Sequence, residues 1–136
     1  MALLRVFSLS VVLVAALAFV GIGGAATNQP STLRADLAEW SLIPSAGVVR
    51  AGNVRLVARN YGFKAHELIL VRTASFAARL PLKGSRAVAK PVAKPILVQP
   101  GKTGSLVVNL KPGSYVLLDN LPWAYWHGTS AAITVR

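Results

Sequence analysis

Val54-Arg55-Leu56-Val57-Ala58-Arg59-Asn60-Tyr61-Gly62-Phe63-Lys64-Ala65-His66-Glu67-Leu68-Ile69-Leu70-Val71-Arg72 is the stretch on which the fold turns. Val54, Leu56 and Ala58 alternate with Arg55, Val57 and Arg59, so one face is apolar and the other largely basic. Period-two alternation of this kind predicts a strand with one side in water. Asn60-Tyr61-Gly62 breaks the pattern. Residues 66–72 resume it differently, because Leu68, Ile69, Leu70 and Val71 run without a polar interruption. That run predicts a strand buried on both faces.

Working outward, Leu33, Ala35 and Leu37 alternate with Arg34 and Asp36, and Trp40 and Leu42 are expected to extend the same strand to Pro44. Ala51-Gly52-Asn53 reads as a turn. Residues 73–82 carry little pattern, and a short helical turn is expected around 75–79. Residues 83–95 contain Lys90-Pro91 and Lys94-Pro95, which predict an extended, exposed loop. Residues 96–98 form a strand leading into the turn Pro100-Gly101-Lys102. Leu106, Val108 and Leu110 share one face of the next strand, and Lys111-Pro112-Gly113 turns it. Strands at 115–119 and 131–135 finish the chain on either side of an aromatic loop. No segment beyond residue 26 has sustained helical periodicity, so the fold class is all-β, a sandwich or small barrel.

The chain has 136 residues, enough for one domain. Arg5 precedes an apolar run over residues 6–20, and the run closes on Gly21-Ile22-Gly23-Gly24-Ala25-Ala26. Charge, apolar run and small residues in that order predict an export signal over 1–26, cleaved after Ala26. The competing expectation is an uncleaved membrane anchor, since the run nears the ~20 residues of a span. A flexible lead-in over 27–32 and a single domain over 33–136 follow. The formal net charge is +11, and Asp36, Glu39, Glu67 and Asp119 are the acidic residues. An exported basic protein is drawn to anionic partners, so an envelope protein or an anionic surface, including contact at a membrane surface, is the expected partner, and nucleic acid is not. There is no cysteine. Disulfides, thiolate ligands and cysteine nucleophiles are thereby excluded.

Asn60-Tyr61-Gly62-Phe63-Lys64-Ala65-His66-Glu67-Leu68 is similar to the N-x-G-x-x-x-H-E-L segment of plastocyanin-like cupredoxins, whose histidine is a copper ligand. Pro100-Gly101-Lys102 and Leu110-Lys111-Pro112-Gly113-Ser114-Tyr115 resemble the paired P-G-K and L-K-P-G-x-Y turns of the same family. Asp119-Asn120-Leu121-Pro122-Trp123-Ala124-Tyr125 falls where the family reads C-N-x-P-G-H-Y, with Gly128-Thr129 in place of the later G-M. The resemblance implies an antiparallel Greek-key β-sandwich. It also implies a lost blue-copper centre, which requires two imidazoles, a thiolate and a weak axial thioether. His66 survives, while Asp119, Ala124 and Thr129 occupy the other three ligand positions.

Two readings of this end of the domain follow. In one, the domain is a metal-free binding or structural module of the cell envelope, with Trp123, Tyr125 and Trp126 as contact residues for a partner. In the other, His66, Asp119 and His127 hold Cu(II) or Zn(II) in a hard, non-blue site. Asp119 and His66 are expected to be neighbours either way, bonded to each other or sharing a metal. Trp123 either anchors a partner or folds into the vacated pocket. Glu67 is expected to face away from His66. A Ser-His-Asp arrangement drawn from His66, Asp119 and a serine such as Ser130 has no supporting motif, and the chain is not expected to be an enzyme.

Overall fold

The computed structural model describes residues 29–74 and 79–136. The export signal expected over 1–26 and nearly all of the helical turn expected at 75–79 lie outside the described residues. Eleven strands follow in chain order: β1 (Ser31–Ala38), β2 (Ser41–Pro44), β3 (Val48–Val49), β4 (Gly52–Asn60), β5 (His66–Thr73), β6 (Leu82–Lys83), β7 (Arg86–Ala87), β8 (Ile96–Val98), β9 (Thr103–Leu110), β10 (Gly113–Asp119) and β11 (Ser130–Val135). Among the described residues no helix is long and apolar enough to cross a membrane.

Two sheets face each other, one ordered β2-β1-β4-β9 and the other β3-β11-β10-β5-β8. Most pairings are antiparallel, but β1 runs parallel to β4, and β3 runs parallel to β11. The sandwich is therefore mixed rather than purely antiparallel. The alternating residues of the first sheet, among them Leu33, Leu37, Val54 and Leu56, meet Leu68, Leu70, Leu117 and Ile133 of the second. Each such side chain contributes roughly 1.5–3 kcal/mol by leaving water.

The second sheet is buried on its outer face too, as the unbroken run in β5 requires. Ile69 and Val71 of β5 and Val116 and Leu118 of β10 form a second cluster with Ala87, packed against Leu80, Ala89 and Tyr125. Residues 83–95 are mostly exposed, as expected, but they also supply part of this cover. They form the β6–β7 hairpin, place Ala87 in the cluster, and bridge Pro91 to Val71. Lys and Pro in this segment marked it as solvated, while its small alanines do the packing.

Two boundaries also move. Pairing of Ser31 with Val54 and Thr32 with Arg55 starts β1 inside the expected lead-in. Polar side chains do not prevent backbone pairing, so the composition gave no sign of it. The expected long first strand is instead a hairpin, since Ala38 pairs with Ser41 and Leu37 with Leu42. Trp40 takes a left-handed φ of 59° in its turn. The fold-back places Glu39 and Trp40 at the same end of the sandwich as residues 61–65, 99–102 and 120–129.

Burial on both faces makes a specific demand on β10. Leu117→Ala and Leu118→Ala point to opposite sides of the sheet, and both residues are fully buried. Each should cost roughly 2–5 kcal/mol in urea unfolding. Val107→Ala, on the exposed face of β9, should stay within about 0.5 kcal/mol. A Leu118→Ala effect as small as that of Val107→Ala would contradict the second layer.

Candidate functional site

The site is built where β5 begins and β10 ends. Asp119 pairs with Leu68 across the two strands. His66 lies two positions before Leu68 and projects on the same face. The His66 Nδ1 and Asp119 Oδ2 atoms are 2.6 Å apart, and both residues are buried. A carboxylate oxygen accepts, so Nδ1 carries the proton. The second Asp119 oxygen accepts from the Glu67 N–H at 3.0 Å and the Leu121 N–H at 3.1 Å. Three donors thus surround a carboxylate that is 1 % exposed, which is the condition for burying charge. The expected neighbourhood of His66 and Asp119 is present as a direct hydrogen bond. Glu67 faces away and pairs with Arg86 at 3.2 Å.

Ala124 and Thr129, the other two positions where the resemblance places ligands, are held by the backbone of residues 120–129. Ala124 is buried, and its carbonyl accepts from the N–H groups of His127 and Thr129. Thr129 is fully buried, and its carbonyl accepts from the Asp119 N–H at 3.1 Å.

Glu39 was not expected here. Its Oε1 accepts from the N–H groups of Phe63 at 2.7 Å and Lys64 at 2.8 Å. A side chain at Gly62 would place Cβ 2.6 Å from both Glu39 oxygens, so that position must be glycine for the carboxylate to seat. Asn60 braces the same loop, donating to the carbonyls of Lys64 and Val98 and accepting from the Gly62 N–H. The Glu39 carboxyl is held below its usual value of 4.5 by its own backbone N–H first and then by that of Lys64. Burial partly opposes this, and the Phe63 N–H and the His66 ring add to it. No spacing in the sequence links position 39 to 62–64.

His66 Nε2 faces Glu39 Oε1 at 3.9 Å and has no hydrogen-bond partner. Beside it opens a cavity of about 560 Å³ walled by Trp40, Trp123 and His127, with Glu39, Lys64 and Asp119 on its lining. The Trp40 and His127 rings lie 4.0 Å apart, centroid to centroid. Trp123 has a left-handed φ of 69° and is 56 % exposed, so it walls the cavity instead of filling it. His127 lines the cavity with its ring packed against Trp40 at a tilt of 44°. Among the described residues no three His, Asp or Glu side chains converge as a metal site, so the trio of His66, Asp119 and His127 is not assembled as a ligand cluster. Tyr125 is turned inward, packs on the second core cluster, and its hydroxyl accepts from the Leu80 N–H. It is half-buried and also lines a cavity with Trp126. Trp126 is exposed on a separate cavity that also holds Ser130 and Arg79.

No family model and no curated protein matches the chain. Solved structures do. Auracyanin from Roseiflexus castenholzii, in its dithionite-reduced form, superposes with a TM-score of 0.57 at 18 % identity, over 78 % of this chain and 97 % of that one. Auracyanin A, a "blue" copper protein from Chloroflexus aurantiacus, gives 0.54 at 20 % identity over 79 % of this chain and 100 % of that one. Rusticyanin from Thiobacillus ferrooxidans gives 0.56 at 13 % identity over 79 % of each. The fold is that of the cupredoxins. A type 1 copper centre does not fit the residues present, because no cysteine exists and Asp119, Ala124 and Thr129 stand at three of the four ligand positions.

Removing the Asp119 carboxylate strands His66 Nδ1 and two buried N–H groups. Asp119→Ala should therefore lose about 3–5 kcal/mol in chemical denaturation, and Asp119→Asn, which keeps an acceptor, distinctly less. Glu39 gives a pH signature. Its folded pKa is lowered, so its contribution is present above 4.5 and disappears as pH falls through the folded value. Melting temperatures of wild type should fall more steeply below pH 4.5 than those of Glu39→Gln.

Proposed function

We propose that this chain, a cupredoxin fold without a thiolate, is an exported binding module of the cell envelope that works without a metal. Its former copper pole serves as the contact surface. The observation that carries this reading is the Asp119 carboxylate, whose oxygens are taken by His66 Nδ1, Glu67 N–H and Leu121 N–H. The pole is thus closed by the chain's own hydrogen bonds.

Exposure supports a contact role. Trp40, Tyr61, Phe63, Trp123 and Trp126 are the exposed aromatic residues of the described chain, and all lie on the loops of this one end. Aromatic anchors of this kind dominate interface energies. The leader-like segment over 1–26 and the net charge of +11 favour an extracytoplasmic protein whose partner is an acidic envelope protein or an anionic surface. Catalysis is not supported. The cavity lining beside the Asp119–His66 pair holds no hydroxyl or thiol, and Ser130 lines a different cavity. A Ser-His-Asp mechanism therefore has no attacking atom there.

The free His66 Nε2, facing Glu39, favours a second reading in which His66 and a carboxylate bind Cu(II) or Zn(II) without thiolate. Titration of the purified protein with each metal, followed by calorimetry and Cu(II) spin resonance, separates the two. The metal-free module should show weak, multiple uptake that His66→Ala leaves unchanged. A single tight site with nitrogen hyperfine coupling, lost in His66→Ala, would replace the first reading with the second.

A further inference from the structure

We propose that the cavity beside His66 binds a primary ammonium group carried on an aliphatic stem. The inference rests on the reading of the pole as a metal-free contact surface and names what that surface captures.

With the imidazole neutral, two acceptors converge in the cavity. His66 spends its Nδ1 proton on Asp119, so in the neutral ring Nε2 presents a lone pair. That atom is buried and unpartnered, and the residue is 5 % exposed. Glu39 Oε1 lies 3.9 Å away, too far for a hydrogen bond, and is itself an acceptor. A ligand bridging the two must therefore bring at least two hydrogens on one atom. A hydroxyl has one. An ammonium has three, and its charge matches the Glu39 carboxylate, which the loop N–H groups of residues 63 and 64 hold ionised.

The walls suit the rest of such a ligand. Trp40 and Trp123 offer indole surface to an aliphatic stem and to the positive charge. Both take left-handed backbone conformations, at φ 59° and φ 69°. Non-glycine residues adopt that region rarely and at a cost, and when they do they cluster at ligand clamps. Among the described residues the two such residues flank one cavity. Lys64 also lines it but makes no ion pair with Glu39 among the described residues. Its charge opposes a bound cation, and this fixes the sign of its effect.

The test is calorimetry and tryptophan fluorescence on the purified protein in excess chelator. It is titrated with n-butylammonium, with Nα-acetyl-lysine amide and with 1-butanol as the neutral counterpart. Both amines should saturate, at least about tenfold more tightly than butanol. Glu39→Gln, which retains an oxygen for the loop N–H groups, should weaken them about tenfold or more. Trp40→Ala, which removes a wall and leaves that loop untouched, should weaken them too. Lys64→Gln should tighten them, and Val107→Ala, on the exposed face of β9, should change nothing. A lysine-bearing peptide that outbinds the lysine amide assigns the ammonium to a protein partner, and equal affinity assigns it to a free amine. Butanol binding as well as the amines, saturation by methyl glucoside in their place, or indifference to Glu39→Gln overturns the proposal. Because metal is chelated throughout, failure of the amines with weak copper uptake leaves the metal-free module standing. Tight His66-dependent copper binding removes that module whatever the amines do.

Discussion

The rest of the pole depends on one buried hydrogen bond, His66 Nδ1 to Asp119 Oδ2. It joins the first residue of β5 to the last residue of β10, where two loops of different length leave the sheet. A carboxylate buried this deeply is tolerable only when its lone pairs are used. The Glu67 and Leu121 N–H groups use them, and in doing so fix the directions of both loops. Stability and site geometry therefore come from the same atoms. Nothing softer than a charged acceptor at position 119 would hold three donors together.

Glu39 repeats the device from the opposite sheet. The hairpin turn between β1 and β2 delivers its carboxylate to the Phe63 and Lys64 N–H groups. Asn60 ties the same loop to β8 through Val98 and to the 99–102 turn through its backbone. With the loop backbones pinned, side chains cannot collapse freely into the space next to His66. Trp123 illustrates this. Its N–H donates to the Ser85 carbonyl at 2.8 Å, which holds the residue against the β6–β7 hairpin and away from the cavity floor. An open cavity persists because the walls are anchored through the backbone and not merely packed.

Much of this was legible in the sequence, and the failures have physical causes. Alternation in 54–59 and 105–110 reported the wet faces of β4 and β9 correctly, because each sheet side there sees one environment. The run Leu68 to Val71 reported two-sided burial correctly, but the residues that cover it lie in a Lys-Pro segment whose alanines carry no periodic signal. Asp119 and His66 were legible as neighbours through side-chain parity alone, since period two is robust once two strands pair. Trp40 was misplaced because Leu37 and Leu42 look the same whether the strand continues or folds back. Glu39, Trp40 and the inward turn of Tyr125 all depend on that fold-back or on the hairpin at 82–87, which are tertiary facts. The wall of the cavity that the β1–β2 turn contributes, Glu39 and Trp40, was therefore hidden.

More than the absent thiolate keeps a type 1 copper centre from fitting this end of the sandwich. The N–H groups of Glu67 and Leu121 now depend on a carboxylate, and a thiolate accepts hydrogen bonds weakly. Ala124 is buried with its carbonyl receiving two N–H groups, so a ring at that position would have to displace the turn that those bonds define. Thr129 is fully enclosed, leaving no room for a longer thioether without moving Asp119, whose N–H bonds to the Thr129 carbonyl. Asp119, Ala124 and Thr129 are each coupled to the other two through the backbone of residues 119–129. Substitutions at coupled positions are not additive. A set of residues locked together in this way holds its present arrangement against single changes, and the arrangement it holds leaves His66 Nε2, Glu39 and two indoles around an open cavity.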